Sequence, residues 1–160
     1  MSISPVIRKR LETQGFGGLD DATLAEVGPW LRWSPVLCTF FMILGVSMQS
    51  PVVLWLLAAI AFFGVFLPFH PFDLLYNYAV RHLTGTRPFP HNGPQRKFAC
   101  GLASAWLIAT GWAFYAGINT VGYALGISLI LVAALVSVTH ICIPSMIYNA
   151  LFSKRGSGNA

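Results

Sequence analysis

Two long stretches of this chain carry no charged residue, and that feature limits what it can fold into more than any other. Asp, Glu, Lys and Arg occur only within residues 8–32, 73–97 and 154–155. The residues between are mostly apolar, and the whole chain of 160 residues is 56% hydrophobic and 9% charged. Globular domains average roughly a quarter charged, so a soluble fold of this size could not hide so much apolar surface. The alternation is that of membrane spans and polar connections.

The pattern predicts an all-α membrane protein with four transmembrane helices arranged as two tight hairpins, and short interfacial helices on the cytoplasmic side. The spans are expected at about 33–49, 51–68, 98–117 and 120–143. At about 1.5 Å per residue they reach roughly 26 to 36 Å, which matches a hydrocarbon core of about 30 Å. The chain thus divides into a cytoplasmic segment (1–32), a membrane domain (33–152) with a cytoplasmic connection at 69–97, and a cytoplasmic tail (153–160). All ten Lys and Arg residues lie in those three polar segments and none in either short turn. By the positive-inside rule both chain ends face the cytoplasm. The basic run Arg8-Lys9-Arg10 is followed by a polar, acidic segment, so no cleaved signal peptide is expected. The basic residues flank spans instead of forming a stripe on a polar face, which argues against nucleic acid as a partner.

In the first polar segment, Asp20 and Asp21 are placed to cap a short helix carrying Leu24, Val27 and Leu31 on one face, with Gly28 and Pro29 breaking it. In the connection, Pro71 suits a first helical position, and Phe72, Leu75, Tyr76, Ala79 and Leu83 recur at helical spacing. Gly85 suits the stop, and an interfacial helix along the membrane surface is expected. The proline-rich residues 87–94 should form an extended loop. The connection is expected to be an ordered platform, with Asp73 paired to Arg81, Arg96 or Lys97; the same residues could serve an anionic lipid.

Three further patterns bear on function. Gly101, Ala105, Ala109, Ala113 and Gly117 place a small residue at every fourth position of the third span, and Gly122 and Gly126 repeat the spacing on the fourth. Such stripes let helix backbones approach closely, within the bundle or between subunits. Cys38, His70, Cys100, His140 and Cys142 all fall in one layer at the cytoplasmic ends of the spans. These are residue types that bind metals or handle thiol chemistry, although no Cys-x-x-Cys or His-x-x-x-His spacing supports a metal, and cysteines in apolar surroundings often act as small hydrophobes. No disulfide framework is expected from the three thiols on the reducing side of the membrane. Apart from His140, no ionisable side chain lies within a span, which weakens an ion-coupled transport reading. No catalytic triad, phosphate-binding glycine loop or carboxylate pair is present, and no cofactor is expected.

The segments His70-Pro71-Phe72-Asp73, Pro94-Gln95-Arg96-Lys97-Phe98-Ala99-Cys100-Gly101 and Cys142-Ile143-Pro144-Ser145-Met146-Ile147-Tyr148 resemble an uncharacterised bacterial membrane family, domain of unknown function 4395. The resemblance covers roughly Trp33 to Phe152. It implies a four-span fold in the inner membrane and no established activity. Many relatives carry a Cys-x-x-Cys at the end of the last span, which implies a thiol-redox or sulfur-handling role; here the first position is Cys142 and the second is Ser145. A lone thiol at that motif cannot form its internal disulfide.

The leading expectation is a non-catalytic inner-membrane subunit or accessory protein acting through helix contacts, with membrane lipids and other membrane subunits as partners. The second is a cytoplasmic-side site handling sulfur species or a metal through Cys142, Cys100, His140 and His70. A small-solute transporter or channel is the third.

Overall fold

The computed structural model describes residues 3–152; the tail with Lys154 and Arg155 lies outside them. Among the described residues the chain is helical with no strand. Helix α1 (Pro5–Leu11) runs on through a wide π-helical turn, Glu12–Phe16, and α2 covers Asp21–Val27. Asp20 caps α2 as expected, its side chain accepting from the Thr23 amide at 3.1 Å, and a single 3-10 turn, Trp30–Arg32, leads into α3 (Trp33–Ser47). Helix α4 (Pro51–Phe66) follows, opened by Ser50 as the capping residue and Pro51 at the first position.

The connection folds as one bent helical run, α5 (Pro71–Leu75), a π-helical turn at Tyr76–Val80, and α6 (Arg81–Thr84). His70 caps its start, its Nδ1 accepting from the Phe72 amide at 3.3 Å, and Gly85 ends it with φ at 67°. Residues 86–93 form the expected loop, anchored by buried Phe89, whose ring stacks on Tyr76 at 3.9 Å between centroids. Helix α7 (Pro94–Tyr115) starts earlier than the expected Phe98, because Pro94 is itself a good first residue and nothing after it breaks the helix. Helix α8 (Asn119–Thr139) stops short of the expected Ile143. Its last carbonyls are turned aside by His140, which takes the left-handed conformation at φ 58°, and a separate helix α9 (Ile143–Phe152) begins with Pro144 in its first turn.

Helices α3, α4, α7 and α8 form a ring in that order, with the α4–α7 and α3–α8 faces the most extensive and the two hairpins closing it. Met42, Val46, Leu54, Leu57, Leu107 and Leu129 fill its interior. Three helical stretches, Trp30–Ser47, Pro94–Tyr115 and Asn119–Thr139, are long and apolar enough to cross a membrane. Helix α4 is shorter and qualifies only together with Pro71–Thr84, from which it is bent by 81°, so the candidate spans number three or four. The outward faces are apolar as well, with Phe62, Phe66, Leu131 and Val138 all more than half exposed.

A second apolar cluster sits at one end of the ring and is built from the N-terminal segment and the connection. Leu11, Phe16, Leu24, Val27, Tyr76 and Phe89 pack together, so α1, α2 and the connection form a cap. Hydrogen bonds fasten it to the ends of α8 and α9. Arg10 donates to the Thr139 carbonyl at 2.7 Å, Gln14 to the His140 carbonyl at 2.6 Å, and Asn149 to the Thr13 carbonyl at 2.9 Å. The first two satisfy carbonyls that the end of α8 leaves without intrahelical partners.

Candidate functional site

Where the cap meets the ring, the interior opens into a cavity of about 380 Å³. Its walls come from α3, α4, α7 and α8 and are almost wholly apolar, with Met42, Leu57, Leu107, Leu129, Val132 and Val136 among them. Chemistry-bearing side chains also line it: Cys38 on α3, His70 before α5, Arg96 and Cys100 on α7, and Cys142 ahead of α9. Four of the five residues expected in one Cys/His layer therefore face a common space. Gly64 allows this crowding, since a Cβ there would lie 3.0 Å from the His70 ring and 3.1 Å from Cys100 Sγ.

The fifth, His140, lies elsewhere. It borders a separate groove lined by residues of α1 and α2 together with Arg32, whose Nε donates to His140 Nε2 at 2.7 Å. That bond requires a neutral imidazole, and burial, then Arg32, then Arg10 push its pKa down to about 4. Among the described residues no group of three or more His, Cys, Asp or Glu side chains is placed to hold a metal ion.

Arg96 organises the polar end of the cavity. Its Nη2 lies 2.9 Å from Asp73 Oδ2, and Asp73, only 1% exposed, also accepts from the Ser34 hydroxyl. Of the three expected partners of Asp73, the ion pair is with Arg96, while Arg81 has a buried Nε without a partner. The pair is a charge contact without an aligned hydrogen bond, because Oδ2 finds no hydrogen-bond donor. Phe16 stacks against the guanidinium at 5.6 Å, so the cap's N-terminal arm also holds this residue. Arg96 Nη1 is buried with no partner in the protein.

Cys142 and Ser145, the two ends of the altered Cys-x-x-Cys, are in contact. Cys142 precedes the first turn of α9, its carbonyl accepting from the Met146 amide at 3.0 Å. Ser145, 1% exposed, donates its hydroxyl to Cys142 Sγ at 3.1 Å. The serine thus occupies the partner position of the motif and can hydrogen-bond the sulfur but cannot close a disulfide with it. Sequence reasoning placed the thiols at one depth; it missed Gln14 and Ser34 as wall residues, because no local pattern reveals which loop closes a helix bundle.

The small-residue stripe divides. Gly122 and Gly126 face inward, where added Cβ atoms would come within 2.7 Å of the Phe114 ring and 2.6 Å of Val46. Ala113 is buried and Gly101 half-buried, but Ala105, Ala109 and Gly117 lie on the outer surface. The inward face of α7 is instead Cys100, Ser104, Leu107, Gly111 and Phe114. Ser104 bonds across to the Ala58 carbonyl at 2.9 Å, and Gly111 lets Trp55 lie against the α7 backbone.

No curated protein and no solved structure matches the chain. One family model does match, described as Domain of unknown function (DUF4395), over residues 29–152. The match runs from the turn before α3 to the end of α9, which takes in Cys38, His70, Arg96, Cys100 and Cys142 and leaves out α1, α2 and Gln14. On that match the chain belongs to this family of unknown function.

Proposed function

We propose that the protein is an integral protein of the bacterial inner membrane, with four spans and its capped end in the cytoplasm, that handles sulfur species at the cavity. The apolar outer faces of the ring and the confinement of every Lys and Arg among residues 3–152 to the capped end support the placement. The sequence alone favours a non-catalytic subunit; the observation that shifts the weight is the convergence of Cys38 on α3, Cys100 on α7 and Cys142 ahead of α9 on one apolar chamber.

Cys142 is the acceptor in this reading. Its thiolate attacks the sulfane sulfur of a donor, the donor's S–S bond breaks, and the donor leaves as a thiolate while a persulfide forms on Cys142. No net oxidation is needed, so the missing second cysteine is no obstacle. Ser145 positions the sulfur, and the apolar walls keep competing water and soluble thiols away. Incubating the detergent-purified protein with inorganic polysulfide and measuring its intact mass is the test. Uptake of one sulfur atom that is lost in Cys142→Ser is expected. Equal uptake by Cys142→Ser, or none by the unmodified protein, refutes the reading.

The outward-facing Ala105 and Ala109 favour a second reading, in which the protein is also an accessory subunit packed against another membrane helix. Native mass measurement in mild detergent tests it, and a stable monomer without a co-purifying protein argues against it.

A further inference from the structure

We propose that the cavity binds a neutral, largely apolar lipid that presents a carbonyl oxygen to Arg96 Nη1. This goes beyond the sulfur reading and requires none of the cysteines. The first observation is the unmet donor: Arg96 lines the cavity, and its buried Nη1 has no partner in the protein. A buried donor of a charged group is seldom left unmet in a folded protein, so an acceptor belongs there.

The second observation decides the charge of that acceptor. Asp73 already balances Arg96 at 2.9 Å, and the nearby His70 is buried. A carboxylate or phosphate would add a second anion to a pair that is already neutral, in surroundings of low dielectric. A carbonyl oxygen accepts from Nη1 without changing the charge. The third observation is the route in. Leu102, Trp106, Ile143 and Ile147 line the cavity and are also exposed, which puts an apolar mouth between α7 and α9 on the outer surface of the bundle. A ligand reaching such a mouth comes from the bilayer, and about 380 Å³, near the small end of ligand pockets, suits a head or ring with its tail trailing out.

Calorimetric titration of the full chain in detergent tests this with three probes: a decyl-substituted benzoquinone, monolauroylglycerol and laurate. Saturable binding of either neutral probe, tighter than laurate, is expected. Which neutral probe binds better tells a ring carbonyl from an acyl ester, and either outcome supports the proposal. Arg96→Lys keeps a cation beside Asp73 but loses the fixed second donor, and should weaken binding about tenfold. Ala133→Phe fills the chamber and should abolish binding while the helical circular dichroism spectrum is kept. The titrations contain no sulfur donor, which separates this binding from the persulfide chemistry. Preference for laurate, absence of saturable binding, or unchanged affinity in either Arg96→Lys or Ala133→Phe overturns it.

Discussion

Replacing Asp73 by Asn is the most informative single perturbation of this molecule. The carboxylate is 1% exposed, while the Arg96 side chain keeps 12% exposure and a contact with the Phe16 ring. Removing one member of a buried ion pair costs about 3–5 kcal/mol, chiefly because the other charge is left uncompensated. The residual exposure of Arg96 and the absence of an aligned hydrogen bond to Oδ2 place this pair at the low end, about 3 kcal/mol. The side-chain amide introduced by Asp73→Asn would still accept from Ser34, so the loss isolates the charge. Unfolding followed by circular dichroism in mixed dodecyl maltoside and SDS micelles reads it, and trypsin cleavage at Arg81 reports whether the connection loosens before the ring. The double variant Asp73→Asn/Arg96→Gln should recover much of the loss, giving strong coupling in the cycle. A single variant within about 1 kcal/mol of the parent, or strict additivity in the double, refutes the claim that this pair holds the cap to the ring.

Other expectations follow from close packing and from titration. Gly111→Ala should cost about 1–3 kcal/mol, because its Cβ would lie 2.5 Å from Trp55 Nε1, whereas Gly101→Ala should be near neutral, its nearest neighbour being Val65 at 3.6 Å; the same detergent unfolding measures both. His140 lies outside the spans and is held neutral with its pKa lowered from 6.5 to about 4, so the unfolded chain takes up a proton more readily between those values. Stability should therefore be unaffected by His140 above about pH 6.5 and fall as the pH drops from there towards about 4, and thermal melts should show that component vanish in His140→Gln.

The elements that depend on local chemistry were legible in the sequence. Asp20 as a cap and Pro71 and Gly85 as start and stop follow from residue types at fixed offsets, and the two hairpin turns, at 48–50 and 116–118, fall within two residues of the breaks at 50 and 118–119 that hydropathy marks. Boundaries failed where two signals compete. Pro94 extends α7 by four residues beyond the point at which hydropathy begins, and His140 ends α8 through a left-handed conformation that its residue type only weakly suggests. The expected Cys/His layer identified depth along the helix axis but not rotation about it, which is why four of its members share a chamber and His140 does not. Helix α1 was missed because Ile3, Ile7 and Leu11 make a face too short to stand out, and its seat against Leu24 and Val27 is a tertiary property.

That seat has a consequence for how the chain assembles. Arg10 and Gln14 complete carbonyls that lie 129 and 126 positions later in the sequence, so these two clasps can close only once the end of α8 exists. Leu11, Phe16 and Leu24 cluster with Tyr76 and Phe89, all of which precede α8, so the cap can gather before it is fastened to the ring. The N-terminal arm, which carries Gln14 into the chamber wall, is then fastened late, after the ring that it closes is complete.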